Sequence, residues 1–297
     1  MSKLRISVVQ YLNTAPLVWG FTHGPLRGKD ELSFTVPSQC AEELRSGAAD
    51  VAIIPAIEYQ RIDGLAILPD LSIASKKRVR SLLLISKRPI ERARSIALDQ
   101  SSRSTQALTQ ILCDTKWKIA PEMQQAQPDL CEMLDKADAA LLIGDPALRF
   151  SIENAASSTQ AADGHLICEG ANAGIRGAEP LHVYDIVEEW NAWAGLPAVL
   201  AIWAVRKNAV TAELVEDFQC SRDLGIANVA AIGREWAGTL RLPAVELERY
   251  LRENIDFTLD EENLAGLRRY FGEAARLGLI AEAKPLEMAA ARMAGAR

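Results

Sequence analysis

The chain has 297 residues, 49% of them hydrophobic and 24% charged, and its 33 basic and 39 acidic side chains give a net charge of -6. That length suits about two domains, each able to bury a core without disulfides or metals, and the composition excludes collagen, coiled coil and intrinsic disorder. Net acidity speaks against a nucleic-acid binder, whose affinity rests on a basic face. The longest apolar stretches, Ala139 to Ile143 and Leu196 to Val205, fall well short of the ~20 residues that cross a bilayer, so no membrane partner is expected. The first residues, Met1 to Ser7, pass into a short β-like run without the apolar segment of a signal peptide, which predicts a cytoplasmic protein. Cys40, Cys113, Cys131, Cys168 and Cys220 are scattered, and His23, His165 and His182 form no HxxxH or HExxH pattern, so neither a disulfide framework nor a metal centre is expected.

Taken in order, Arg5 to Gln10 alternates like a strand, and Tyr11 to Leu17 reads as a strand end turning into a helix whose first turn tolerates Pro16. The pattern repeats with Leu32 to Val36 as strand, a break at Pro37-Ser38, a helix over Cys40 to Ser46 ended by Gly47, and a buried strand at Asp50 to Pro55. Strands alternating with short helices define an α/β fold. Leu65 to Ile73 and Val79 to Ser86 read as extended connectors on either side of the basic turn Lys76-Lys77-Arg78-Val79-Arg80, which is expected to be a solvated turn. After Pro89 the rhythm restarts: Ser95 to Leu98 as strand, Ser101 to Ser104 as loop and cap, then a helix with Ala107, Leu108, Ile111 and Leu112 on one face. Trp117 to Ala120 and Ala139 to Ile143 add two strands, the second ending at Gly144-Asp145-Pro146, where Asp145 is placed to cap a helix. From Thr211 onward the pattern is helical: Glu213 to Asp223, Val229 to Trp236, Pro243 to Asn254, and a last helix opened by the capping box Thr258 to Glu261 and closed by Gly278. The expected organisation is 1–87 as the first part of lobe one, 88–198 as lobe two and 199–297 as the return to lobe one, with a ligand cleft between the lobes.

The loops at Asn13-Thr14, Ser38 and Ser101 to Ser104 share small polar side chains at helix starts. Several helix N-termini converging on one cleft suit a small polyanion even in an acidic protein. No GxSxG, GxGxxG or GxxxxGK[ST] motif follows a strand, so a serine-hydrolase triad and a dinucleotide or ATP site are not expected, and no organic cofactor is predicted. Among acids, Glu58, Asp99, Asp145 and Asp185 are candidates for the cleft; among aromatics, Tyr11 and Trp203.

Several of these segments together resemble the chorismate dehydratases of the futalosine-dependent menaquinone pathway: Tyr11-Leu12-Asn13-Thr14-Ala15-Pro16-Leu17, Pro37 to Leu44, Gly47 to Pro55 with Glu58-Tyr59, Ala97-Leu98-Asp99 with Ser101 to Ser104, and Leu142 to Asp145. The resemblance extends through Tyr184-Asp185, Glu188 to Trp190, Gly195 to Pro197 and Ala201 to Arg206, about two thirds of the chain, and the C-terminal helices add little to it. It implies a two-lobed type 2 periplasmic-binding-protein-like fold, each lobe a mainly parallel sheet flanked by helices, and a lyase that removes water from chorismate to give 3-enolpyruvylbenzoate without metal or organic cofactor.

In that reaction a proton leaves C3, hydroxide leaves C4 and the ring becomes aromatic, so the enzyme's task is to hold the ring carboxylate in donors that strengthen as charge builds on it. By the same resemblance, Asn13 is a catalytic contact. Tyr11, Thr14, Ser38 and Ser81 bind substrate, Ser101, Ser102, Arg103 and Ser104 hold the second carboxylate, and Gly144 and Asp145 border the leaving hydroxyl. The base is either the substrate's own enolpyruvyl carboxylate or Asp145. Two segments depart from the family pattern, Tyr184-Asp185-Ile186-Val187 and Ala198-Val199-Leu200, and the loss of bulk in the second leaves the cleft size open, a looser site and a modified substrate being the alternatives. A non-catalytic anion-binding protein on the same fold and the sister enzyme acting on a later cyclic intermediate of the pathway are the alternatives.

Overall fold

In a computed structural model, residues 3–169 and 180–289 are described. The order is β1 (Arg5–Val9), α1 (Ala15–Thr22), β2 (Glu31–Thr35), α2 (Pro37–Ser46), β3 (Val51–Pro55), α3 (Ala56–Arg61) and the long β4 (Leu65–Ser75). Then come β5 (Leu82–Ser86), β6 (Ser95–Asp99), α4 (Arg103–Leu112), β7 (Glu122–Ala126), α5 (Leu130–Lys136), β8 (Ala139–Ile143) and α6 (Gly144–Glu153). A hairpin of β9 (Ser158–Gln160) and β10 (Leu166–Cys168), unmarked in the sequence pattern, precedes β11 (Leu181–Asp185), α7 (Ile186–Ala194) and β12 (Ala198–Arg206). The chain ends in α8 (Ala212–Ala227), α9 (Val229–Leu240), α10 (Ala244–Glu253) and α11 (Glu261–Arg276). Among the described residues no helix is long and apolar enough to cross a membrane.

Two sheets form, in the orders β2-β1-β3-β12-β4 and β7-β6-β8-β5-β11-β10-β9. Their first βαβ units are parallel, as the strand-helix alternation requires, but β12 runs antiparallel to both β3 and β4, and β5 runs antiparallel to both β8 and β11. The sheets are therefore mixed rather than mainly parallel. A strand that carries the chain from one lobe to the other comes back against its neighbours without a crossover helix to reverse it.

The crossing falls earlier than residue 87, because Leu82 to Ser86 is already a central strand of the second sheet. One side chain fixes it. Asp185 caps α7 by accepting the N–H groups of Val187 and Glu188, and its carboxylate also takes the N–H groups of Val79 and Arg80, with Arg80 in the left-handed region at φ 63°. The basic turn beside it is neutralised by acids: Lys76 meets Asp260 at 2.7 Å and Arg80 meets Glu246 at 3.6 Å.

Three further expectations give way to packing. Trp117 is not the start of a strand: it ends a widened last turn of α4, Cys113–Trp117, and its buried ring meets Tyr184 edge to face at 5.9 Å. The strand begins at Glu122, after Lys118 reverses the chain at φ 54°. Thr258 does not cap α11; Asp260 does, accepting the Asn263 N–H, while the Thr258 hydroxyl turns back to Asp256. Trp203 lies in the core against Phe218, with ring centroids 4.7 Å apart, and takes no part in a site.

Helix α8 returns to pack across α1, which carries the Tyr11 to Pro16 segment at its start. Contact there is backbone on backbone: a Cβ at Gly225 would lie 1.9 Å from the Pro16 carbonyl oxygen. The buried Ser221 hydroxyl donates to the Leu17 carbonyl and accepts the Gly20 N–H. Gly225→Ala is expected to force α8 off α1 at a cost of about 3 kcal/mol, lowering Tm by about 5–10 °C in a thermal melt. An unchanged Tm would mean that this contact relaxes without cost.

Candidate active site between the lobes

Each sheet ends its parallel strands toward the other, so the loops at their carboxyl ends meet. Behind β1, a tight turn at Leu12–Thr14 sets the Tyr11 to Thr14 segment against the start of α6 behind β8. Asp145 does not cap that helix. Its N-cap is Ile143, and the Asp145 carboxylate instead crosses the lobes to accept the Leu12 N–H at 3.1 Å. Burial pushes the Asp145 carboxyl up to about 6, against the opposing pull of the Leu12 bond.

Gly144 makes this approach possible. It sits at φ 66°, its N–H donates to the Ser81 carbonyl at 2.8 Å, and a Cβ there would lie 2.7 Å from the Tyr11 ring. The Tyr11 phenol is half-buried beside the Ser101 hydroxyl, and burial raises it to about 12. Ser101 in turn donates both its N–H and its hydroxyl to Asp99 Oδ1, leaving the buried Asp99 Oδ2 without a protein partner. Burial holds the Asp99 carboxyl above its usual range.

A second seam joins α2 to the start of α4. The Ser38 N–H donates to the Ser101 carbonyl at 3.1 Å, and Ser102 caps α4 by accepting the Thr105 N–H. Ser104, fully inside, accepts the Ile57 N–H from α3 at 3.1 Å and gives its carbonyl to the Tyr270 hydroxyl at 3.0 Å. Asn13, Thr14, Ser38, Ser81, Ser101, Ser102, Gly144 and Asp145 thus stand on segments that touch one another across the lobes.

Arg103 is drawn away from them. Its guanidinium meets Glu42 at 2.8 Å and the fully buried Glu58 at 3.0 Å, and Glu58 is also paired with Arg45 and Arg61. The carboxylates Arg103 meets here are the chain's own, and with Glu58 it forms an ionic tie between α4 and α3. Asp185 and Glu58, candidates from the sequence, are likewise committed to the crossing and to this tie.

The segment Ala198-Val199-Leu200 is closely covered. Trp190 and Tyr270 pack edge to face at 6.4 Å around it, and the remaining space is about 10 Å³, room for a single water. The C-terminal helices, which add little to the resemblance, supply two phenols to the region: Tyr270, whose hydroxyl donates to the Ser104 carbonyl, and Tyr250, whose hydroxyl donates to Ser81 Oγ at 2.8 Å. Burial holds the Tyr250 phenol protonated well beyond neutral pH. Only the amphipathic face of α10, with Leu247, Tyr250 and Leu251 inward, hinted at this in the sequence.

Two α/β lobes that meet through the loops at their strand ends define a binding-protein-like fold, and solved structures share it. Protein AF1704 from Archaeoglobus fulgidus superposes with a TM-score of 0.69 at 18% identity over 94% of this chain and 98% of its own. The periplasmic aliphatic sulphonate binding protein SsuA from Escherichia coli does so with a TM-score of 0.58 at 13% identity over 100% and 96%. The chain belongs to the menaquinone biosynthesis family, which it matches over residues 4–276. A chorismate dehydratase from Thermus thermophilus is 27% identical over 277 residues, 92% of this chain and 95% of the relative.

Proposed function

We propose that this protein is a chorismate dehydratase, a hydro-lyase that converts chorismate to 3-[(1-carboxyvinyl)oxy]benzoate for menaquinone synthesis, using its own side chains and no cofactor. The observation that carries the reading is the meeting of Asp145 with the Tyr11 to Thr14 loop across the lobes, in a chain whose relative of nearly equal length is named for this activity.

The chemistry fits the groups. The C3 proton of chorismate is acidified by conjugation with the ring carboxylate, so removing it builds negative charge on that carboxylate. The N-termini of α2 and α4, brought together by the Ser38 to Ser101 bond, offer helix-dipole charge to that developing anion. In chorismate the C3 hydrogen and the C4 hydroxyl lie on the same ring face, so one carboxylate on that face serves both ends of the elimination. Asp145 takes the C3 proton and returns it to the departing hydroxide; the C3–H and C4–O bonds break, the C3=C4 bond closes the aromatic ring, and water leaves. A carboxyl near 6 is ionised at neutral pH yet basic enough to accept a proton, and Asn13 orients the ring against it.

The test is to incubate purified, metal-stripped protein with chorismate and follow substrate loss and product mass. Loss of one water is expected, with Asn13→Ala reducing turnover by at least about 100-fold. Chorismate bound but never consumed would replace this reading with a solute-binding role on the same fold.

A further inference from the structure

We infer that Tyr250 is a positioning residue of this site, fixing the Ser81 hydroxyl as a donor toward the substrate; the inference rests on the chorismate reading and extends it to a residue of the C-terminal helices. Tyr250 is 1% exposed and stands on α10, far in sequence from every loop of the cleft. Its hydroxyl reaches one of those loops directly, donating to Ser81 Oγ at 2.8 Å on the crossing segment.

The direction of the bond matters. A phenol has one proton, and here it is spent on Ser81. Burial keeps that proton in place across the working pH range. Ser81, having accepted, retains its own proton for a different acceptor. Its backbone carbonyl is already taken by the Gly144 N–H, which ties it to the helix that carries Asp145. A hydroxyl anchored at the backbone and oriented by Tyr250 is a preset donor, which costs no reorganisation when charge develops on a bound oxygen. Without the phenol, Ser81 is free to rotate.

Tyr250→Phe keeps the ring and removes only the oxygen. It is expected to lower kcat for chorismate by about 10- to 100-fold, leave KM within about twofold, and leave the circular-dichroism melt nearly unchanged. Ser81→Ala is expected to lose a similar factor, and the double variant no more than Ser81→Ala alone, because the phenol acts through that hydroxyl. Wild-type protein that consumes no chorismate would overturn the reading and this inference with it. An active wild type with a Tyr250→Phe variant of equal kcat, or two losses that multiply in the double variant, would overturn the inference alone. Should Tyr250→Phe fail to fold, Ser81→Ala in the otherwise intact chain carries the test, and a wild-type kcat there overturns it.

Discussion

Asp145→Asn is expected to lower kcat for chorismate by about 10²–10³-fold at pH 7 while the protein stays folded. The asparagine carbonyl keeps the bond from the Leu12 N–H that joins the lobes, so the substitution separates proton transfer from closure. In the wild type, kcat is expected to rise with pH through about 6, where the carboxyl loses the proton that blocks it as a base, and to lose about tenfold by pH 5. The variant should show no such limb. The sign of the stability effect follows from the same shift: a carboxyl raised from 3.8 to about 6 binds its proton more tightly in the folded state, so folding loses stability as pH climbs between those values. A neutral asparagine removes that loss, and its melting temperature above pH 6 is expected to equal or exceed that of the wild type. If the substrate's enolpyruvyl carboxylate is the base, the variant will keep nearly full turnover, and Asp145 will be left only its bond to Leu12.

Gly144→Ala addresses closure instead of proton transfer. A side chain there faces two penalties. The left-handed backbone at φ 66° costs a non-glycine residue about 1–2 kcal/mol, and the new Cβ would stand within 2.7–2.9 Å of three Tyr11 ring atoms. Neither side yields easily, since Gly144 is held by the Ser81 carbonyl and Tyr11 by the Asp145 to Leu12 bond one residue on. The lobes must part or the ring must swing, and either pulls the Tyr11 to Thr14 loop away from Asp145. A loss of at least about 100-fold in kcat/KM is expected, with a Tm only a few degrees lower, because the contact is between lobes and not within a core. Steady-state kinetics with a parallel melt reads both. Full activity would show that the working form of the enzyme does not bring Tyr11 onto Gly144.

What the sequence determined by itself was local and periodic. The strand-turn-helix alternation from Arg5 to Pro55 and again from Ser95 to Glu153 set an α/β fold, since a run such as Val51 to Ile54 is apolar on every side and must be covered on both faces. The loops that bear Asn13, Ser38, Ser101 and Gly144-Asp145 were legible as strand ends turning into helices, the place where an open α/β sheet presents its ligand loops. Tertiary structure alone decided what those residues do. Asp145 reads as a cap because local rules see only its own helix, whereas the Leu12 N–H comes from 133 residues away. Arg103 reads as an unpaired cation until Glu58 and Glu42 arrive from α3 and α2. Tyr250 has no signal beyond its place on an apolar helix face, because the hydroxyl that gives it a role meets Ser81 only after α10 packs on the crossing. Propensity and pattern act over a few residues, while a site between two lobes is assembled by contacts that sequence distance does not limit.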